Sequence, residues 1–113
     1  MLTVTLAKFF HFSASFSKKG KVYGHNYVLG VTVNGVDNGT ETMLINKIES
    51  GLIDKINSRD LELHVDFLKG VELTDENILR VFWKIIAALI APVSLKKLSL
   101  ERDSRTVLTL TEN

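Results

Sequence analysis

The sequence predicts an α+β fold, an antiparallel four-stranded sheet with two helices packed on one face, in the order β-β-α-α-β-β. Two observations carry this. Apolar residues recur with a period of two near both ends of the chain, and with helical spacing in the middle. Clusters of glycine, asparagine, aspartate and serine separate these segments. At 113 residues the chain has the length of one domain, residues 1–113, with enough apolar material for a core.

Leu2, Val4 and Leu6 alternate with Thr3, Thr5 and Ala7, which predicts a long first strand continuing through Phe16. After the polar break Ser17 to Gly20, the residues Tyr27, Leu29, Val31 and Val33 give the second strand, so the pair reads as a hairpin. The segment Asn34 to Gly39 is a turn before the short apolar run Met43 to Ile45. Ile48, Leu52, Ile53 and Ile56 predict a short amphipathic helix, weakened at Gly51, and residues 57–70 read as an irregular connection. Thr74 is the expected N-cap of the second helix, with Asp75 and Glu76 in its first turn, where the helix dipole favours acids, and Pro92 ending it. That helix is apolar nearly all round, so it is expected to be covered on more than one side. Leu95 to Arg102, the turn Asp103-Ser104 and Thr106 to Leu110 make a closing hairpin.

Composition excludes several classes of function. Hydrophobic residues make up 45% and charged residues 24%, which is globular, not disordered. With 14 basic and 13 acidic side chains, the net charge of +1 offers no field for nucleic acid or an anionic membrane. There is no cysteine, so disulfides, thiolate zinc ligands and thiol nucleophiles are all excluded. The longest strongly apolar stretch, Ile85 to Val93, is well short of the roughly 20 residues that span a bilayer. The alternating N-terminus lacks the pattern of a secretory signal, so the expected location is cytoplasmic.

Phe12-Ser13-Ala14-Ser15 followed by Gly24-His25-Asn26-Tyr27 resembles the opening of the 6-pyruvoyltetrahydropterin synthase family, which includes the 6-carboxytetrahydropterin synthases. Val31-Thr32-Val33-Asn34-Gly35 with Asp37, then Met43-Leu44-Ile45-Asn46, resembles the next segments of that family. Thr74-Asp75-Glu76-Asn77 resembles its Thr-Thr-Glu-Asn helix start, and Leu98-Ser99-Leu100-Glu101 its closing Val-x-Val-x-Glu-Thr strand. The resemblance implies a tunnelling fold whose subunits join their sheets in rings, here a homo-oligomer built on trimers, up to a hexamer. It also implies a pterin- or purine-like ligand bound between neighbouring subunits.

The family holds a catalytic zinc with three histidines, and those positions read Phe16, Tyr23 and His25 here. One imidazole beside a phenylalanine does not make a three-ligand site, so zinc, and any other cofactor, is not expected. His11 lies five residues from Phe16 and so on the opposite strand face. The family's cysteine base falls near Lys19, in a polar loop tip. Its Asp-His pair falls on Asn57 and Ser58, with Asp60 and His64 nearby. His25, Lys19 and His64 are therefore the candidate catalytic residues.

The resemblance assigns ligand binding to Glu101, Thr74, Asp75 and Glu76, because a carboxylate accepts two hydrogen bonds from a 2-amino-4-oxopyrimidine face. Each has an ordinary reading too: Glu101 as decoration of a hairpin end, and Thr74 to Glu76 as a helix start. Parity puts Glu101 with Ser99 and Lys97, opposite Leu98 and Leu100. Two functions follow: a heterocycle-binding protein without the zinc-dependent lyase activity, or a diverged metal-free lyase, aldolase or hydrolase acting on a pterin-like substrate.

Overall fold

The structure, a computed structural model, describes residues 2–18 and 20–112. Strands β1 (Leu6–Lys18) and β2 (Lys21–Asn34) form the long hairpin, in register from Leu6 opposite Val33 to Lys18 opposite Lys21. Because Phe10, Phe12, Ala14 and Phe16 lie opposite Leu29, Tyr27, His25 and Tyr23, one face of the hairpin carries an unbroken apolar and aromatic band. Leu2 and Val4 are exposed and precede the strand, since β2 ends opposite Leu6 and leaves them no partner.

The first helix begins earlier than the sequence spacing suggested. Helix α1 (Thr40–Ile48) takes in the Met43 to Ile45 run, passes into a π-helical turn (Glu49–Ile53) and ends as α2 (Asp54–Ile56). Leu44, Ile48, Leu52 and Ile56 are all fully buried, an i, i+4 series of one helical face. Asp37 and Thr40 fix its start: the Thr40 hydroxyl donates to Asp37 Oδ1 at 3.0 Å and accepts from the Asp37 N–H at 2.8 Å.

The connection that follows is not wholly irregular. β3 (Arg59–Asp60) pairs parallel with β1 at Ala14 and Ser15, and a 3-10 turn spans Asp66–Leu68. Helix α3 (Asp75–Ile90) starts at its expected cap, the Thr74 hydroxyl accepting from the Asn77 N–H at 3.2 Å. It buries Ile78, Leu79, Phe82, Ile86 and Ile90, while Val81, Trp83, Ile85 and Leu89 are half-buried. Its cover is thus the sheet on one side and, at Leu89, the π-helical turn, where Gly51 removes the Cβ that would otherwise collide.

β4 (Ser94–Arg102) and β5 (Thr106–Thr111) close a five-stranded sheet of order β3-β1-β2-β4-β5, antiparallel except for β3. A register shift between Thr32 and Val33 lets Leu95 and Leu98 both point into the core despite their odd spacing. The helices cover the face bearing Phe12, Tyr27, Leu29 and Leu100. The other face, with Phe9, His11, Val28, Ser99, Glu101 and Val107, carries no helix. Among the described residues no helix is long and apolar enough to cross a membrane.

Candidate functional site

The three positions at which the resemblance expects zinc ligands come together. Phe16 lies opposite Tyr23 and two register positions from the Ala14–His25 pair, on the same sheet face, and its ring centroid is 5.5 Å from the tyrosine and 5.8 Å from the imidazole, both stacked. They line a cavity of about 600 Å³ whose other walls are Leu73, Thr74, Asp75 and Arg102. The long hairpin supplies the aromatic wall, the cap of α3 the polar rim and the end of β4 the cation.

The donor set does not fit a zinc ion. A phenyl ring, a phenol and one imidazole give a single ordinary zinc ligand, short of the three a catalytic site needs. His25 Nδ1 lies 2.6 Å from Asp103 Oδ2. Among the described residues no three histidine, cysteine or carboxylate side chains are grouped to hold a metal.

Asp103 is the residue that sequence reasoning missed. It sits in the β4–β5 turn with φ of 53°, a left-handed conformation that aspartate tolerates. Its Oδ1 accepts from the Asn26 N–H at 2.9 Å, and its own N–H donates to the Asn26 carbonyl at 2.7 Å. The hydrogen bond from Asn26, and next the one from His25, hold its carboxyl below the usual carboxylate range. The sequence offered only a turn-forming aspartate here, because its partners are 77 and 78 positions away.

Arg102 enters the cavity where the resemblance expected a glutamate. In Val-x-Val-x-Glu the glutamate stands two residues beyond the second valine, on the same strand face. With Leu98 and Leu100 buried in the valine places, that position is Arg102, opposite Tyr27, and not Glu101. Arg102 Nη1 lies 3.3 Å from Asp75 Oδ2, whose side chain is only 17% exposed. Glu101 lies on the helix-free face, opposite Val28 and Val107, and its side chain forms no ion pair among the described residues. Within one chain it is therefore separated by the sheet from Thr74 and Asp75. Glu76 points away from the cavity, exposed and 3.7 Å from Arg80 one turn on.

Tyr27 lies beneath the cavity, 2% exposed, stacked on Phe12 at 4.9 Å and edge-on to His25 at 5.9 Å. Its hydroxyl has no hydrogen-bond partner among the described residues. Burial, and next the Asp75 carboxylate, push its pKa up to about 12, so it stays a protonated donor at neutral pH.

The remaining candidates are elsewhere. Asn57 and Ser58 anchor the connection to β1, Asn57 Oδ1 accepting from the Ser13 N–H at 3.0 Å and the Ser58 N–H donating to the Ser13 carbonyl at 2.6 Å. Asp60 organises a turn, accepting from the N–H groups of Glu62 and Leu63 at 3.0 Å each and from the Ser17 hydroxyl at 3.1 Å. His64 is exposed in that turn and lines neither this cavity nor the neighbouring one along β1. Lys19 lies outside the described residues.

The architecture, one sheet with helices on a single face and a cavity at the end of its long hairpin, places the molecule in the tunnelling-fold class. The structure of Caenorhabditis elegans 6-pyruvoyl tetrahydropterin synthase superposes with a TM-score of 0.82, covering 100% of this chain and 98% of the other at 20% identity. An uncharacterized protein from Wolinella succinogenes superposes at 0.68 over 100% of both chains, with 14% identity. At such identities the likeness is one of fold. In sequence, a putative 6-pyruvoyl tetrahydrobiopterin synthase of C. elegans is 29% identical over 93 residues, covering 77% of this chain and 66% of the relative, just under two thirds of its length. The sequence profile of the 6-pyruvoyl tetrahydropterin synthase family matches residues 5–113, and the chain belongs to that family.

Proposed function

We propose that this family member binds a pterin- or purine-type heterocycle in the cavity under α3 and does so without the family's zinc chemistry. The observation that carries the reading is the replacement of a metal-binding set by the Phe16, Tyr23 and His25 cluster, in one cavity with an Asp75–Arg102 ion pair. The flat aromatic walls suit a planar ring. The ion pair suits one edge of it: a 2-amino-4-oxopyrimidine edge presents two adjacent donors and then an acceptor, matching the two oxygens of a carboxylate and the N–H of a guanidinium. An adenine-like edge lacks that order.

Glu101 would take part only across a subunit boundary. The helix-free sheet face with its exposed Phe9 and Val107 and the unpaired edge of β5 support association between copies, and family membership supports a homo-oligomer built on trimers, up to a hexamer. The absence of cysteine suits a reducing compartment such as the cytoplasm. A second reading, a metal-free enzyme on the same class of ligand, draws on the His25–Asp103 pair.

Calorimetric titration with a 2-amino-4-oxopteridine and an adenine-like control tests the proposal. Binding is expected to prefer the former, and Asp75→Asn, which replaces one acceptor by a donor, to weaken it by about 1.5 to 3 kcal/mol. Glu101→Gln weakens it only if a neighbour's Glu101 closes the site. Equal affinity for both ligands, or unchanged binding by Asp75→Asn, contradicts the reading.

A further inference from the structure

We propose that His25 and Asp103 form a metal-free proton-accepting pair for a ligand in this cavity, a heteroaromatic carrying an acidic O–H group. The Nδ1 to Oδ2 separation of 2.6 Å is a strong hydrogen bond to a carboxylate that can only accept. Neutral His25 therefore carries its proton on Nδ1, and its Nε2 has a lone pair with no hydrogen-bond donor among the described residues. The ring is half-buried, lines the cavity and is held between Phe16, stacked at 5.8 Å, and Tyr27, edge-on at 5.9 Å. Asp103 is itself fixed by Asn26 at 2.9 Å, so the pair is positioned by strand β2 and the β4–β5 turn that docks on it.

The other ionisable groups around the ring leave this role to it. Asp75 is paired with Arg102 at 3.3 Å, the buried Tyr27 stays protonated, and Tyr23 is a phenol stacked on Phe16. The step is a proton transfer. The ligand O–H bond breaks with its electron pair left on oxygen, the Nε2–H bond forms, and the imidazolium stands beside the Asp103 carboxylate; nothing is oxidised or reduced. A heteroaromatic is the class that fits, because its ring spreads the oxyanion charge and lies flat against Phe16 and Leu73. The proposal takes only the ligand's shape from the heterocycle-binding reading and involves neither Asp75 recognition nor Glu101.

Nitrogen-15 NMR of the full chain and absorbance titration with 7-hydroxycoumarin, a bicyclic O–H acid whose anion has its own band, test it. His25 is expected to show the Nδ1–H tautomer, and the bound probe an anion-to-neutral ratio about tenfold above that of free probe, one unit of its pKa. In His25→Gln, read at saturating probe, the ratio is expected to return to the free value. Asp103→Asn, which tolerates the same left-handed turn, is expected to fall between the two. An Nε2–H tautomer, failure of the probe to bind, unchanged ionisation on binding, or a ratio that survives His25→Gln each overturns the pair. Pteridine binding with an unshifted probe overturns the pair alone, and a shifted probe without pteridine preference overturns the heterocycle reading alone.

Discussion

Tyr27→Phe removes a single buried oxygen, and the structure fixes what should follow. The tyrosine is 2% exposed, its ring stacks on Phe12 at 4.9 Å, and its hydroxyl has no partner among the described residues. Phenylalanine keeps the ring contacts and removes a group whose unpaired burial costs about 1 to 3 kcal/mol, so the variant is expected to be more stable by about 1 kcal/mol after partial relaxation. The pH dependence is a second, independent readout. With a folded pKa of about 12 against an ordinary value of 10, the unfolded chain releases this proton first as pH rises. The contribution of Tyr27 is therefore fully present below pH 10 and is lost between pH 10 and 12, by up to about 3 kcal/mol. Urea unfolding of both proteins from pH 7 to 11 measures the difference, in which the lysine titrations common to both cancel. A Tyr27→Phe protein destabilised by more than about 1 kcal/mol would mean that the hydroxyl is satisfied, and an alkaline slope equal to wild type would refute the burial argument.

Two further perturbations probe the scaffold. A Cβ at Gly51 would stand 2.7 Å from both Leu89 methyl carbons, so Gly51→Ala should cost about 1 kcal/mol, overpacking outweighing the helix preference of alanine; in urea unfolding the Gly51→Ala/Leu89→Ala double variant should lose less than the two single losses added, and a stabilised Gly51→Ala would show the contact to be slack. Asp103 is held below its ordinary pKa, so the stability it contributes is present above about pH 4 and is lost as pH falls through its folded value; Asp103→Asn should flatten that acid limb of the unfolding curve, and an unchanged limb would contradict the Asn26 and His25 hydrogen bonds.

The sequence carried the parts of the fold that are local. The period-two runs gave both hairpins, and Thr74 followed by two acids gave the start of α3 to the residue. The early start of α1 was hidden because Met43 to Ile45 is too short a run to distinguish strand from helix, and Leu44 joins Ile48 and Leu52 only once the turn at Asp37 and Thr40 is known. β3 was invisible because two residues have no period, and its pairing is set by β1. In the site, parity along Leu98 and Leu100 already pointed to Arg102 as the residue sharing their face, although the glutamate beside it matched the motif by type. The aromatic cluster was legible as three replaced positions. The His25–Asp103 pair was not, since it depends on how β2 and the β4–β5 turn meet.

Whether the heterocycle site works without a metal is decided by titrating a 2-amino-4-oxopteridine into chelator-treated protein and repeating the titration after adding one equivalent of zinc. The same affinity is expected in both. Binding that disappears with the chelator and returns with zinc would contradict it.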